Sequence, residues 1–565
     1  MLIFPILAAV LATACAGPAS QNVARDSAEA PSRSGPKRIV GIVIGEHPAL
    51  ISKFERALQG AEALEATVAA GLSIKDQHGN LVPQLAEAVP TLDNGLWKLL
   101  PDGRMETTWN LRKDAVWHDG APFTTDDLVF TAAVGQGDVV SNFRQNGHAL
   151  IESMEASGPY TFTARWKSPF IEADKLFASD LEGTSILFPL PKHLLERPFL
   201  ENKEGFVQLP YWSDEFVGTG PYKLKEWTRG VRTILVANDR YVLGRPKVDE
   251  LEVRFIGDDN TALATLLSGS ADMTLGRGVS IEQAADAAGL WPQGRVENIG
   301  LRSRFALYPQ FINPSPPIIG NVQLRKALMH ATDRQTMADA LQRGAVPVAH
   351  TYMGPDNPMY PQIESQIVKY ELDPRRATQM IESLGFTRGS DGVYSDPSGQ
   401  RLAVEIRATP GDLYDKIMEA VRDNWQGVGV ATETVSIPRQ RQSDLEYRAT
   451  RPGFELTRRG TNLTNLSSFH GRETPFAESR WIGSNVPRYQ NAELDGLIDR
   501  YFVTVPIPER TQVAGLIMRH ISDQLNMMHV FYDSEPALIS NRIVEAHGRG
   551  SESTQTWNIH QWDVR

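Results

Sequence analysis

Two periodicities alternate along this chain, and they predict a mixed fold. RIVGIVIGE, from residue 38 on, is a β-branched apolar run closed by Gly45 and Glu46, the pattern of a buried strand with a turn behind it. Between residues 71 and 130, turn signals (DQHGN, DNG, PDG, HDG) separate short alternating runs such as METTWNLR, which reads as antiparallel strands. A helix is predicted over 124–133. Thr124 or Thr125 would cap it, and Asp126 and Asp127 would complement the dipole of its first turn. From 217 the pattern gives three strands, GTGPYKLKEW, TILVAND and DELEVRFI, followed by a helix in ALATLLSGSADM. Helical periodicity with intervening strands then continues to about residue 526, with Gly and Pro as punctuation. No stretch repeats at a fixed period, which argues against a solenoid or a propeller.

The N-terminus follows a different logic. MLIFPILAAVLATA (1–14) is apolar but too short to span a bilayer, and it reads as the hydrophobic region of a signal peptide. Ala12, Thr13 and Ala14 before Cys15 resemble a bacterial lipobox, in which Cys15 is lipidated and becomes the mature N-terminus; the alternative is an ordinary signal peptide with an incidental cysteine. Residues 15–37, rich in Ala, Ser, Pro and Gly, lack the bulky side chains needed to offset ordering entropy and read as a tether. Nothing downstream approaches 18 uninterrupted apolar residues.

At 565 residues the chain has length for three to four folding units, by the rule of about 150 residues each. Its 57 basic and 68 acidic residues give a net charge of −11, interspersed in sign, so it lacks the positive field of a nucleic-acid binder. A single cysteine excludes an intrachain disulfide and a thiolate metal cage. The histidines are scattered without HExxH spacing, and no metal or cofactor is expected.

Several segments look chemical and have plainer explanations. Trp117, His118 and Asp119 in WHDG, with Trp109 nearby, suggest a catalytic cluster, yet Asp-Gly is a turn signal and the tryptophans suit a core. Gly218 and Gly220 in GTGPY lack the Lys-Ser/Thr pair of a phosphate loop and suit a tight crossover into a strand. Asp333 and Arg334 read as a cap or a local ion pair near a helix end. Asp373 and Pro374 read as the N-cap and first residue of a helix. There is no GxSxG or SxxK for a hydrolase, although a dispersed triad is invisible to spacing.

The segment WNLRKDAVWHDGAPFTTDDLVFT (109–131) resembles the signature of the family 5 extracellular solute-binding proteins, the oligopeptide, dipeptide and nickel receptors of ABC importers. GTGPYKLKEW, NDRYVLGRPKVDELEVRFI with LLSGSADM, NVQLRKALMHATDR and YELDPRRATQMIESLGF follow in that family's order, so the resemblance spans roughly residues 38–565. It implies an α/β, two-lobed, periplasmic-binding-protein-like fold with a hinged cleft. Residues 38–66, 217–302 and 527–565 would form the first lobe, 67–216 a subdomain inserted in it, and 303–526 the second lobe. The implied function is delivery of a peptide or similar solute to a membrane permease and its ATPase. The receptor would be a lipid-anchored, extracytoplasmic monomer without catalysis. A non-peptide solute (opine, sugar, metal chelate or haem) and a sensory receptor of the same fold stay open, with an extracytoplasmic hydrolase the more distant alternative.

Peptide-binding members hold the ligand's free amine with an aspartate in the loop after the segment equivalent to 454–460. Here that position falls on Asn462, and 457–470 contains no carboxylate but carries Arg458 and Arg459. An amide lacks the charge-assisted strength of a carboxylate, so free-amine capture loses support. An arginine pointing into the cleft would favour a carboxylate or phosphate. The family layout adds Glu46 and His47 after the first strand, Arg302 and Phe305 near the crossing into the second lobe, Tyr352 in the second lobe, and Phe531 and Tyr532 near the crossing back.

Overall fold

The structure is a computed structural model, and it describes residues 35–45, 50, 61–136, 150–179, 188–276, 279–298, 300–548, 550 and 552–565. The predicted first strand is β1 (Arg38–Ile44), four of whose seven residues are buried. The chain then builds a separate four-stranded sheet from β2 (Trp97–Leu99), β3 (Met105–Asn110), β4 (Ile151–Gly158) and β5 (Thr161–Trp166), in the order β2-β3-β5-β4. It returns through β6 (Tyr222–Thr228), β7 (Arg232–Ala237), β8 (Glu250–Ile256), β9 (Met273–Thr274) and β10 (Gly294–Asn298). A second sheet follows with β11 (Ser303–Pro309), β12 (Ala403–Ala408), β13 (Ala431–Ser436), β14 (Phe454–Gly460) and β15 (Met528–Asp533), before β16 (Pro536–Ser540) rejoins the first. The seven-stranded order is β10-β16-β9-β1-β8-β7-β6, and the five-stranded order is β13-β12-β14-β11-β15.

Packing follows the period of two. On β11, Phe305 and Leu307 face a core that includes Leu328, Ile417 and Trp425, whereas Ala306 and Tyr308 face a core with Leu466, Ile517 and Met518. Helices therefore cover both faces, and all seven residues of β11 are buried. The inserted sheet has its own core around Trp109, Trp117, Phe162 and Trp166.

The predicted helix near 124 spans Thr125–Gln136 with Asp126 and Asp127 in its first turn. Asp127 accepts from the Thr124 amide at 3.0 Å and from Trp117 Nε1 at 3.3 Å. WHDG is wired as architecture. His118 Nδ1 accepts from the Gly218 amide at 3.1 Å, so the ring proton sits on Nε2, which donates to the Gly220 carbonyl at 3.1 Å. A Cβ on Gly218 would lie 2.0 Å from the Val68 carbonyl oxygen, and one on Gly220 2.3 Å from Val68 C, so these glycines permit a close backbone approach. Asp373 caps the helix Pro374–Ser383 through the Arg376 amide. Asp333 likewise caps Arg334–Leu341. Among the described residues Arg334 has no ion-pair partner: it is buried and donates to the carbonyls of Ala349, His529 and Tyr370.

β15 pairs with β11 in the second sheet, and the chain returns to the first sheet at β16, after Asp533. Among the described residues, no helix is long and apolar enough to cross a membrane.

Candidate functional site

Strand direction locates the site. β1 runs parallel to β8 and β9, while β16 is antiparallel to both β9 and β10, so the carboxyl ends of β1, β8, β9 and β10 lie at one edge of the first sheet. In the second sheet, Ser303 pairs with both Gly460 and Asp533, and β12 runs parallel to β13 and β14. The carboxyl ends of β12, β13, β14 and β15 therefore surround the start of β11. The two crossings, one between Asn298 and Ser303 and the other between Asp533 and Pro536, join these edges, with Asn298 opposite Pro536 on one side and Ser303 opposite Asp533 on the other. Carboxyl ends of strands, where loops diverge, are the usual place for a ligand in an α/β structure.

The crossings are tied to the loop after β14. Thr461 donates through its amide to the Arg302 carbonyl and through its hydroxyl to the Leu301 carbonyl, both at 2.8 Å. The Leu301 amide donates to Asp356 Oδ2 at 2.9 Å. A cavity of about 570 Å³ opens here, lined by Glu297, Asn298 and Gly300 from the first crossing, Asp356 from the second lobe, and His547 and Gly548 from the C-terminal segment. A second cavity of about 480 Å³ is bordered by Gln335, His350, Glu364, Lys369 and Tyr532.

The sequence-derived candidates divide sharply. Glu46, His47 and Cys15 lie outside the described residues. Arg302 sits on the first crossing. Phe305 and Phe531 are not cleft residues: both are buried, with ring centroids 5.4 Å apart, and Phe305 also packs on Tyr414. Tyr532 is held by its hydroxyl, which donates to the carbonyls of Thr351 and Met353 at 3.1 and 2.5 Å. Tyr352 is buried and donates to the Asn462 carbonyl at 2.9 Å. Asn462 itself caps the 3-10 segment Leu463–Phe469, its side chain accepting from the Thr464 amide at 2.9 Å.

Arg458 and Arg459 project from opposite faces of β14. Arg458 is ion-paired with Asp533, the last residue of β15, and with Glu535 on the second crossing. Burial pulls the Arg458 pKa down, but the two carboxylates outweigh it and hold the guanidinium charged. Sequence reasoning missed this clamp, because its partners lie 75 and 77 residues away with no local signal. Arg459 lies on the other face, its guanidinium carbon 5.9 Å from the Tyr308 ring centroid. Beside it, Arg304 is buried with its guanidinium 4.0 Å over Tyr352. Arg304 donates to His529 Nδ1 at 3.1 Å and to the carbonyls of Arg459 and Gly460 at 3.2 and 2.7 Å. Burial, with Arg304 next, pushes the His529 pKa well below its ordinary value and keeps that ring a neutral acceptor.

Among the described residues, no group of three or more His, Cys, Asp or Glu side chains could hold a metal ion.

Two helix-covered sheets, joined by paired crossings with their strand ends turned toward them, define a two-lobed periplasmic-binding-protein-like fold. The chain belongs to the bacterial extracellular solute-binding proteins, family 5: residues 80–477 match the model described as the Middle of that family. It is 26% identical over 507 residues to the oligopeptide-binding protein AppA of Bacillus subtilis (strain 168), covering 88% of this chain and 86% of that protein. It is 24% identical over 502 residues to heme-binding protein A of Haemophilus influenzae, covering 82% and 81%. NikZ from Campylobacter jejuni, solved in complex with Ni(L-His), superimposes with a TM-score of 0.71 at 20% identity, covering 94% of this chain and 100% of that one.

Proposed function

We propose that this protein is the extracytoplasmic receptor of an ABC importer, binding a peptide or peptide-like solute between its lobes and presenting it to a permease with its ATPase. The observation that carries this reading is similarity to an oligopeptide-binding protein over 88% of this chain and 86% of that one. The first lobe would comprise 38–66, 217–302 and the chain after Asp533, with 67–216 inserted and 303–533 as the second lobe. A lipid on Cys15 would hold a monomeric receptor at the membrane, with 16–37 as its tether. Closure about the crossings would bury the solute without any chemical turnover.

One observation favours a second reading, a non-peptide or N-blocked solute. The loop 457–470 has no carboxylate to meet a free amine, and Asn462 is engaged as a cap. Native mass spectrometry of the form starting after Cys15, followed by denaturing release, tests both. A family of co-purified peptides is the expected result. A single non-peptide mass would keep the receptor and remove the peptide. Small-angle scattering should show compaction on saturation with the released solute, and its absence would sink closure.

A further inference from the structure

The inserted sheet is joined by chain to the first sheet alone, since β1 precedes it and β6 follows it. It nevertheless touches the helices that cover the second sheet. The Ile171 amide, just beyond β5, donates to the Phe502 carbonyl at 3.2 Å, near the end of the helix Ala492–Val503. Side chains on either side of that bond trade places. Ile171 is buried in the second sheet's cluster with Leu466, Ile498 and Tyr501, while Val505, between that helix and the helix Ile507–Gln524, is buried in the inserted sheet's cluster with Trp166 and Phe170.

Two opposed terms meet at this seam. Burying a branched aliphatic side chain from each partner favours joining. Against it, polar atoms give up water without replacement: among the described residues, Glu172 Oε2, Asp174 Oδ1 and Arg510 Nε are buried with no hydrogen-bond partner. Arg510 belongs to the helix Ile507–Gln524, and its charge acts on Asp174 across the seam. Such groups regain partners once water returns, which favours separation. The crossings are continuous chain and cannot part, whereas this contact can.

We infer that Ile171 and Val505 form a clasp between the inserted sheet and the second lobe, a noncovalent contact outside the crossings that holds the receptor closed, so that the inserted sheet governs how readily it opens. This rests on the reading that the receptor closes about its crossings. In the separated state both side chains would face water, so truncating either weakens the joined state alone.

The test uses the whole chain with Cys15→Ser, which leaves no cysteine. Spin labels are then placed on Leu92→Cys, on the inserted side, and Leu372→Cys, in the second lobe, both exposed positions. Pulsed electron resonance without added solute should resolve two label separations, one of them matching the joined arrangement. Ile171→Ala should shift their ratio away from the joined state by at least about tenfold, and Ile171→Val by about two- to tenfold. A second separation that appears only in the variants would give the same support. Ile171→Val, smaller by one methylene, carries the test if Ile171→Ala fails to fold. Two separations in an unchanged ratio in every protein would overturn the clasp and leave closure standing. A single separation common to all of them would overturn both.

Discussion

The turn 117–120 and the loop 457–470 both concentrate side chains that could do chemistry, and they use them in opposite ways. In the first, every polar group is consumed internally. His118 bridges two glycine backbones, Asp127 collects Trp117 and the helix start, and Asp119 accepts from His193 at 2.7 Å. In the second, Arg458 closes a clamp across a crossing and Asn462 caps, while Arg459 is left without a polar partner among the described residues. A residue type that suggests catalysis says little until its partners are counted.

Separating the two arginines gives the largest expected effect. Arg458→Met leaves Asp533, 3% exposed, and Glu535, 13% exposed, without their counter-charge, and should destabilise the protein by about 3 kcal/mol or more. Arg459→Gln breaks no carboxylate pair and should stay within about 0.5 kcal/mol. Urea denaturation of both variants measures the gap, and equal losses would erase the distinction between the clamped arginine and its neighbour.

The turn can be probed by acid. Burial lowers the pKa of His118 from 6.5 to about 4, and burial also takes His350 and His560 to about 4. Since the unfolded chain protonates first, stability is complete above about pH 6.5, falls as pH drops toward 4, and levels below it. His118 alone can account for on the order of 3 kcal/mol of that loss. His118→Asn should be less stable at pH 7 and show a shallower slope between pH 6.5 and 4. An unchanged slope would remove His118 from the titration.

Much of this contrast was legible in the sequence. Local signals held because their partners are local: Asp373 caps Arg376, Asp333 caps Thr336, and Asp126 and Asp127 open their helix. The β-branched and alternating runs became strands because period two sorts side chains between faces. What the sequence could not supply was long-range pairing. Position near a crossing made Phe305 and Phe531 look like cleft residues, but a strand at a crossing still alternates, and these two fall on the helix-packed face. Tyr352 and Tyr532 likewise become candidates by their place in the family layout, and both hydroxyls are consumed by backbone carbonyls. Arg458 was read with its neighbour as a loop cation, since nothing within several residues announces Asp533 and Glu535.

The smallest expected effect concerns Asn462, where cap and ligand roles can be pulled apart. Asn462→Ala removes the acceptor for the Thr464 amide and should cost about 1 kcal/mol. Asn462→Asp keeps an equally good cap and should change stability by only a few tenths of a kcal/mol. It also places a carboxylate in a loop that has none from 457 to 470, next to Thr461, whose contacts tie this loop to the first crossing. If the loop borders the solute, free-amine peptides should bind more tightly to Asn462→Asp than to the unaltered protein, and N-acetylated peptides should not. Paired titrations with the two peptide forms read the difference directly. A gain for neither form, with the cap intact, would place the loop outside the solute's reach and leave Asn462 a structural residue like His118.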